Sequence, residues 1–155
     1  MKEFNLFILV ICLITFPLYS TDEKRPSIAV MDFDGRGGVP QSDASTLTDR
    51  FRFELMKTDS FEVMERAQMN LILQEQNFQR SDCVDQQCAV EVGRIIAVKK
   101  IVSGSVAKVG GIYTVNAKML DVETGKIEKN LSEDCDCPIE KVLVETLMRL
   151  AMKMV

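Results

Sequence analysis

The residues that could do chemistry stand together early in the chain. The run "SIAVMDFDGRGG", residues 27–38, ends an apolar stretch with Asp32 and Asp34 and then turns glycine-rich. An aspartate at the tip of a buried strand can attack a phosphoryl group. A second acid two residues on can serve as proton donor, with Mg²⁺ offsetting the charge. One reading is therefore a Mg²⁺-dependent phosphatase using Asp32 and Asp34. That chemistry also needs a Thr or Val after the Asp-x-Asp-Gly, where Arg36 stands, together with a Ser or Thr, a Lys and a later acid pair for the metal. The late acidic cluster "SEDCDC" is mixed with cysteines and leads into a helix. The same two aspartates also suit a strand end that solvates a sheet edge and starts a turn. We adopt that second reading, with no catalytic residue, no metal and no cofactor expected. "GRGG" has neither the Gly-Lys-Ser/Thr of a P-loop nor three glycines at dinucleotide spacing, so it reads as a flexible loop.

There is no His among the 155 residues. That removes the usual base for a Ser or Cys nucleophile and the commonest metal ligand. The cysteines are more informative. Setting aside Cys12 in an apolar leader, four remain: Cys83, Cys88, Cys135 and Cys137. An even number in an exported chain reads as disulfides. Cys83 to Cys88 would tie a loop to the next helix. Cys135 and Cys137 could bond each other or cross-link to the first pair, and four cysteines leave three connectivities open. A Cys₄ zinc site is the sharper alternative, but C-x₄-C and C-x-C spacings suit it poorly.

Elements that would position these residues follow from periodicity. "SIAVMDFD" reads as a strand buried on both faces. A loop, Gly35, Arg36, Gly37, Gly38, Val39, Pro40 and Gln41, is long enough to be mobile, and we take it as the candidate partner-binding surface. Ser42 or Asp43 would cap a helix carrying Ala44, Leu47, Phe51 and Leu55 on one face. A short strand "FEVMER", a helix with Met69, Ile72 and Leu73 inward, and a third helix starting near Asp85 come next. Gly93 in that third helix should face a close neighbour. The period then changes to two. "IVSGSVAKV", "IYTVNAKMLDV" and "IEKNLS" form a meander, with Gly125 of "ETGK" at positive φ. In the second of these strands Tyr113, Val115, Ala117 and Met119 point one way, and Thr114, Asn116 and Lys118 the other. Pro138 opens a last, methionine-bearing helix. The expected fold is a single α/β (α+β) domain, β-α-β-α-α-β-β-β-α. Its sheet is mixed and ends in an antiparallel meander, with helices mainly on one face there.

Residues 1–20 read as a signal peptide. Lys2 precedes the apolar "LFILVICLITF", and "PLYS" supplies a break and a small residue. Cleavage near Ser20 would leave residues 21–155 as the exported domain; a retained anchor is the alternative. Ile11 is too bulky before Cys12 for a lipoprotein signal. The balance of 19 Lys and Arg against 23 Asp and Glu, with no basic aromatic stripe, argues against nucleic acid.

Taken together, "IAVMDFDG", "LTDRFRFELMKTDSFEVMERAQMNLILQEQ" and "AVEVGRIIAVKKIVSGSVAKVGGIYTVNAKMLDVETGKI" resemble the CsgG-like family of exported bacterial proteins. That family takes in the curli production assembly/transport component, the penicillin-binding-protein activator LpoB and the TolB N-terminal domain. The chain departs from the family where "IIAVKK" stands in place of a "LLGAD"-like segment. It also lacks room for pore-forming hairpins and lacks a lipid-attachment cysteine near the mature start. The resemblance implies an exported, non-enzymatic binding or assembly module in the periplasm or secreted. Expected partners are envelope proteins or further copies of the chain, outer-membrane contact is allowed, and no small-molecule substrate is expected. An LpoB-like activator of cell-wall synthesis is the alternative within the family, and the phosphatase is the alternative from another class.

Overall fold

The computed structural model describes residues 24–78 and 85–155. The expected signal peptide with its cleavage point, Cys12 and Cys83 lie outside the described residues. The described chain runs β1 (Ser27–Val30), β2 (Asp34–Arg36), α1 (Gln41–Lys57), β3 (Glu62–Val63), α2 (Arg66–Glu75), α3 (Gln86–Ile95), β4 (Lys100–Val109), β5 (Ile112–Asp121) and β6 (Ile127–Asp136). A C-terminal helix follows in three pieces: α4 (Ile139–Lys141), a π-helical turn (Val142–Thr146) and α5 (Leu147–Met154). The strands form one mixed sheet in the order β3-β1-β4-β5-β6, with β2 also on β4. Pairing is parallel among β1, β2, β3 and β4, and antiparallel through the β4-β5-β6 meander. This is the mixed α/β architecture expected from the sequence.

Both faces of the first strands are covered because consecutive residues are apolar. Ile28 and Val30 join one core with Leu47, Phe51 and Leu55 of α1 and Leu147, Leu150 and Met154 of α5. Ala29 points the other way, to Met69 and Leu73 of α2 and Ala89 and Val92 of α3. Farther along the sheet only the first core continues. Tyr113, Val115, Ala117 and Met119 face it, in line with the two-residue period. No helix among the described residues covers the opposite side of the meander at Thr114 and Asn116.

Local details agree with the packing logic. A Cβ on Gly93 would sit 2.5 Å from Cγ2 of Val122, so a larger residue would push α3 off the sheet. Gly125 takes a φ of 70° at the hairpin turn. Three expectations are corrected. The first strand is not continuous to Asp34: it stops at Val30 and resumes as β2 after a bend. Neither Ser42 nor Asp43 caps α1, because the helix begins one residue earlier with Pro40 as N-cap and no side-chain cap. Pro138 likewise sits at the N-cap of α4, not inside its first turn. Proline suits such a position, since its fixed φ and missing N–H cost nothing where no helical hydrogen bond is due.

Candidate functional site

The bend between β1 and β2 leaves the backbone of Phe33 without a strand partner, and two side chains of α1 take its place. The Phe33 N–H donates to the Thr48 hydroxyl at 2.9 Å, and the Gln41 amide donates to the Phe33 carbonyl at 2.9 Å. The oxygen of the same Gln41 amide accepts from Gly35 N–H at 3.0 Å. Buried polar groups must be paired somewhere, so the bend is fixed by these bonds, with Phe33 fully buried against Phe51 at 5.4 Å between ring centroids.

Residues 35–41 are not loop throughout. Gly35 and Arg36 belong to β2. A Cβ on Gly35 would overlap the Val39 carbonyl, and one on Gly37 would overlap the Lys108 carbonyl, at a φ of 59°. Gly38, at φ 85°, faces open space. Val39 is buried and its N–H donates to Arg36 at 3.1 Å. The segment forms a ridge packed against β4. Its exposed groups are Arg36, Gly37, Gly38, Pro40 and part of Gln41.

Asp32 sits beside this ridge with its side chain 20% exposed. One of its oxygens accepts from Arg52 at 3.0 Å and the other from Arg66 at 2.8 Å. Arg52, itself 7% exposed, also donates to the Val30 carbonyl at 3.1 and 2.6 Å and pairs with Asp49. Arg66 reaches Asp49 at 3.1 Å. Two carboxylates and two guanidiniums thus join β1, α1 and α2. With a guanidinium on each oxygen, Asp32 anchors the end of β1 to α1 and α2. Asp34 is 63% exposed and pairs with Arg36 at 3.1 Å. The sequence pointed to the Asp pair and placed Gln41 in the candidate loop, but gave no sign of Arg52, Arg66 and Thr48. These partners come from helices 8 to 34 residues away, and only the fold brings them in.

The cysteines resolve in part. Cys135 and Cys137 are bonded to each other across a Cα separation of 5.2 Å. Cys88, in the first turn of α3, is disulfide-bonded, and its N–H donates to the Asp85 carboxylate at 2.8 Å.

A cleft of about 520 Å³ opens where β1 ends, on the side of the sheet that carries α2 and α3. Its floor is polar, with Ser103, Ser105, Asn116, Lys118 and Asn130, and its rim includes Asp32, Asp34 and Arg36.

With this geometry described, comparison with known proteins decides the family. The model of the curli production assembly/transport component CsgG matches residues 18–111, more than half of the chain. The chain belongs to the CsgG family. No curated protein matches it in sequence. Among solved structures, the LpoB C-terminal domain from Salmonella enterica superposes with a TM-score of 0.61 at 16% identity, covering 72% of this chain and 83% of that one. Lipoprotein GNA1162 from Neisseria meningitidis gives 0.61 at 13% identity, with 83% and 93% covered. A PelC dodecamer subunit from Paraburkholderia phytofirmans gives 0.55 at 12% identity, with 81% and 84% covered. At such identities these likenesses speak for the fold alone. Among the described residues, no helix of this CsgG-family chain is long and apolar enough to cross a membrane.

The segment "IIAVKK" carries the turn that ends α3. Ala97 stands at a φ of 56°, just past the end of α3, where its N–H donates to Arg94 and the Val98 N–H donates to Gly93. This left-handed helix ending favours glycine. Ala97 holds this turn at a steric cost.

Proposed function

We propose that this CsgG-family chain is an exported, non-enzymatic binding or assembly module of the bacterial cell envelope, with envelope proteins or further copies of itself as partners. Family membership carries the reading. The salt-bridged Asp32 supports its non-enzymatic part, because the residue best placed for phosphoryl chemistry is committed to Arg52 and Arg66. An exported location is supported by the signal-like residues 1–20. The ridge from Gly35 to Gln41 is the surface we assign to partner contact. It is exposed and packed against β4 through Gly37, and a surface held by such packing has little conformational entropy to lose on binding. Within the family, an LpoB-like role as an activator of cell-wall synthesis is the finer alternative, supported by the shared fold.

A tagged copy of the protein, pulled down from envelope fractions, should recover a defined set of envelope proteins. Recovery should fall when Arg36 and Pro40 are both replaced by Glu. Capturing no protein at all would count against the module, and undiminished capture by the double variant would count against the ridge. A phosphatase assay on the pure protein with Mg²⁺ should show no activity that Asp32→Asn removes.

A further inference from the structure

The cleft at the end of β1 lies at a position with a general physical meaning. The connection leaving β1 runs through α1 on one face of the sheet. The connection leaving β3 runs through α2 and α3 on the other face, before the chain enters β4 on the far side of β1. Ligands of open α/β sheets gather near the carboxyl ends of such strands; here the cleft lies on the α2–α3 side and is lined by the sheet face and the start of α3. Here β4 continues past Val30, its partner Val102 being followed by Ser103, Gly104 and Ser105 on the cleft floor.

Of the charged side chains lining the cleft, Lys118 alone has no hydrogen-bond or ion-pair partner among the described residues. Asp32 is held by two guanidiniums, Asp34 pairs with Arg36, and Asp85 caps α3 by accepting from Cys88 N–H. Lys118, on the central strand β5, has no acidic partner among the described residues. Its neighbours across the ladder are Ser103 on β4 and Asn130 on β6, with Ser105 opposite Asn116 one step along. An ammonium is thus ringed by hydroxyl and amide groups that can each donate a hydrogen bond, in a cleft of about 520 Å³. Such a set matches one negative charge on a molecule that also carries hydroxyls.

The geometry points to a binding site for a small hydroxyl-bearing carboxylate, of the acidic-sugar class, with Lys118 meeting the carboxylate and Ser103, Asn116 and Asn130 meeting the hydroxyls. The ligand is held and not turned over. The site meets the partner ridge at Arg36 on its rim, but the assignment does not depend on the proposed function.

The test is an amide chemical-shift titration of the whole exported chain with glucuronate, glucose and acetate, each to about 10 mM, the range of a weak site. Glucuronate should shift the amides of residues 103–105, 116–118 and 130, and glucose and acetate should shift them far less. Lys118→Met should weaken glucuronate binding by roughly ten-fold or more, as expected on losing one charge-assisted hydrogen bond, and Lys118→Arg should retain it. Lys118 is exposed, so neither variant disturbs the core. Absence of shifts with glucuronate, equal shifts with glucose, or unchanged binding in Lys118→Met would each overturn the assignment.

Discussion

Asp32 and Ala97 show how one residue can look like one thing in sequence and act as another in the fold. Asp32→Asn keeps the shape but removes the charge between Arg52 and Arg66. It leaves the buried Arg52 guanidinium without its carboxylate partner at β1. The expected loss is about 2–3 kcal/mol of folding stability, the scale of a charged hydrogen bond broken at a partly buried site. Urea denaturation of the variant measures it, and a neutral result would mean that Asp32 is no anchor. Ala97→Gly should do the reverse. It relieves a side chain held at positive φ, and the gain should be roughly 1 kcal/mol, less some entropy returned to the unfolded chain. A thermal melt reads this as a modest rise in Tm. The strain at Ala97 was half legible in advance. The missing Gly of "IIAVKK" was visible as a departure, but its φ was not. The ion pairs of Asp32 were not legible at all, because they depend on helices brought in from far along the chain.

At the scale of elements, the C-terminal helix is tied to the sheet edge by charge as well as by its apolar face. Glu133 of β6 accepts from Lys153 of α5, and Arg149 lies 3.3 Å from its other oxygen. The Lys153 hydrogen bond is the main cause that holds the Glu133 carboxyl below its ordinary value of 4.5, against the opposing effect of burial and with help from Arg149. A carboxylate with a lowered native pKa binds fewer protons folded than unfolded. Its stabilising share is therefore present above about pH 4.5 and is lost as pH falls through the lower native value. Glu133→Gln should flatten the acid limb of a stability-against-pH curve and leave the neutral region lower but parallel. An unchanged acid limb would assign the pH dependence elsewhere.

Of the elements themselves, the long periodic ones were legible. The helix with Ala44, Leu47, Phe51 and Leu55 and the strand with Tyr113, Val115, Ala117 and Met119 both bury the faces their spacing implies. The break at residues 31–33 was not, because "IAVM" is apolar and β-prone and Phe33 carries the same character past Asp32. Only the side chains of Thr48 and Gln41 make the interruption affordable. The π-helical turn at Val142–Thr146 likewise leaves no mark in an apolar stripe that continues across it.

For the whole molecule, the mixed sheet with divergent helices does two things at once. It braces the ridge at residues 35–41 against β4 through Gly37, and it opens the cleft at the end of β1. Gly37→Ala tests the bracing. The new Cβ would overlap the Lys108 carbonyl at a φ that alanine avoids, so we expect a loss of about 1–3 kcal/mol and weaker partner capture. Gly38→Ala, with open space around it, should cost only the φ penalty of about 1 kcal/mol. The difference between the two isolates the contact with β4.

The central claim, that this CsgG-family chain works by binding envelope proteins, is tested most directly by crosslinking in living cells. A photo-crosslinking residue at Arg36, on the exposed ridge, should give discrete adducts whose second component, identified by mass spectrometry, is an envelope protein or another copy of the chain. The same residue at Glu123, on the distant turn after β5, should not give these adducts. No adduct from Arg36, or the same adducts from both positions, would contradict the account.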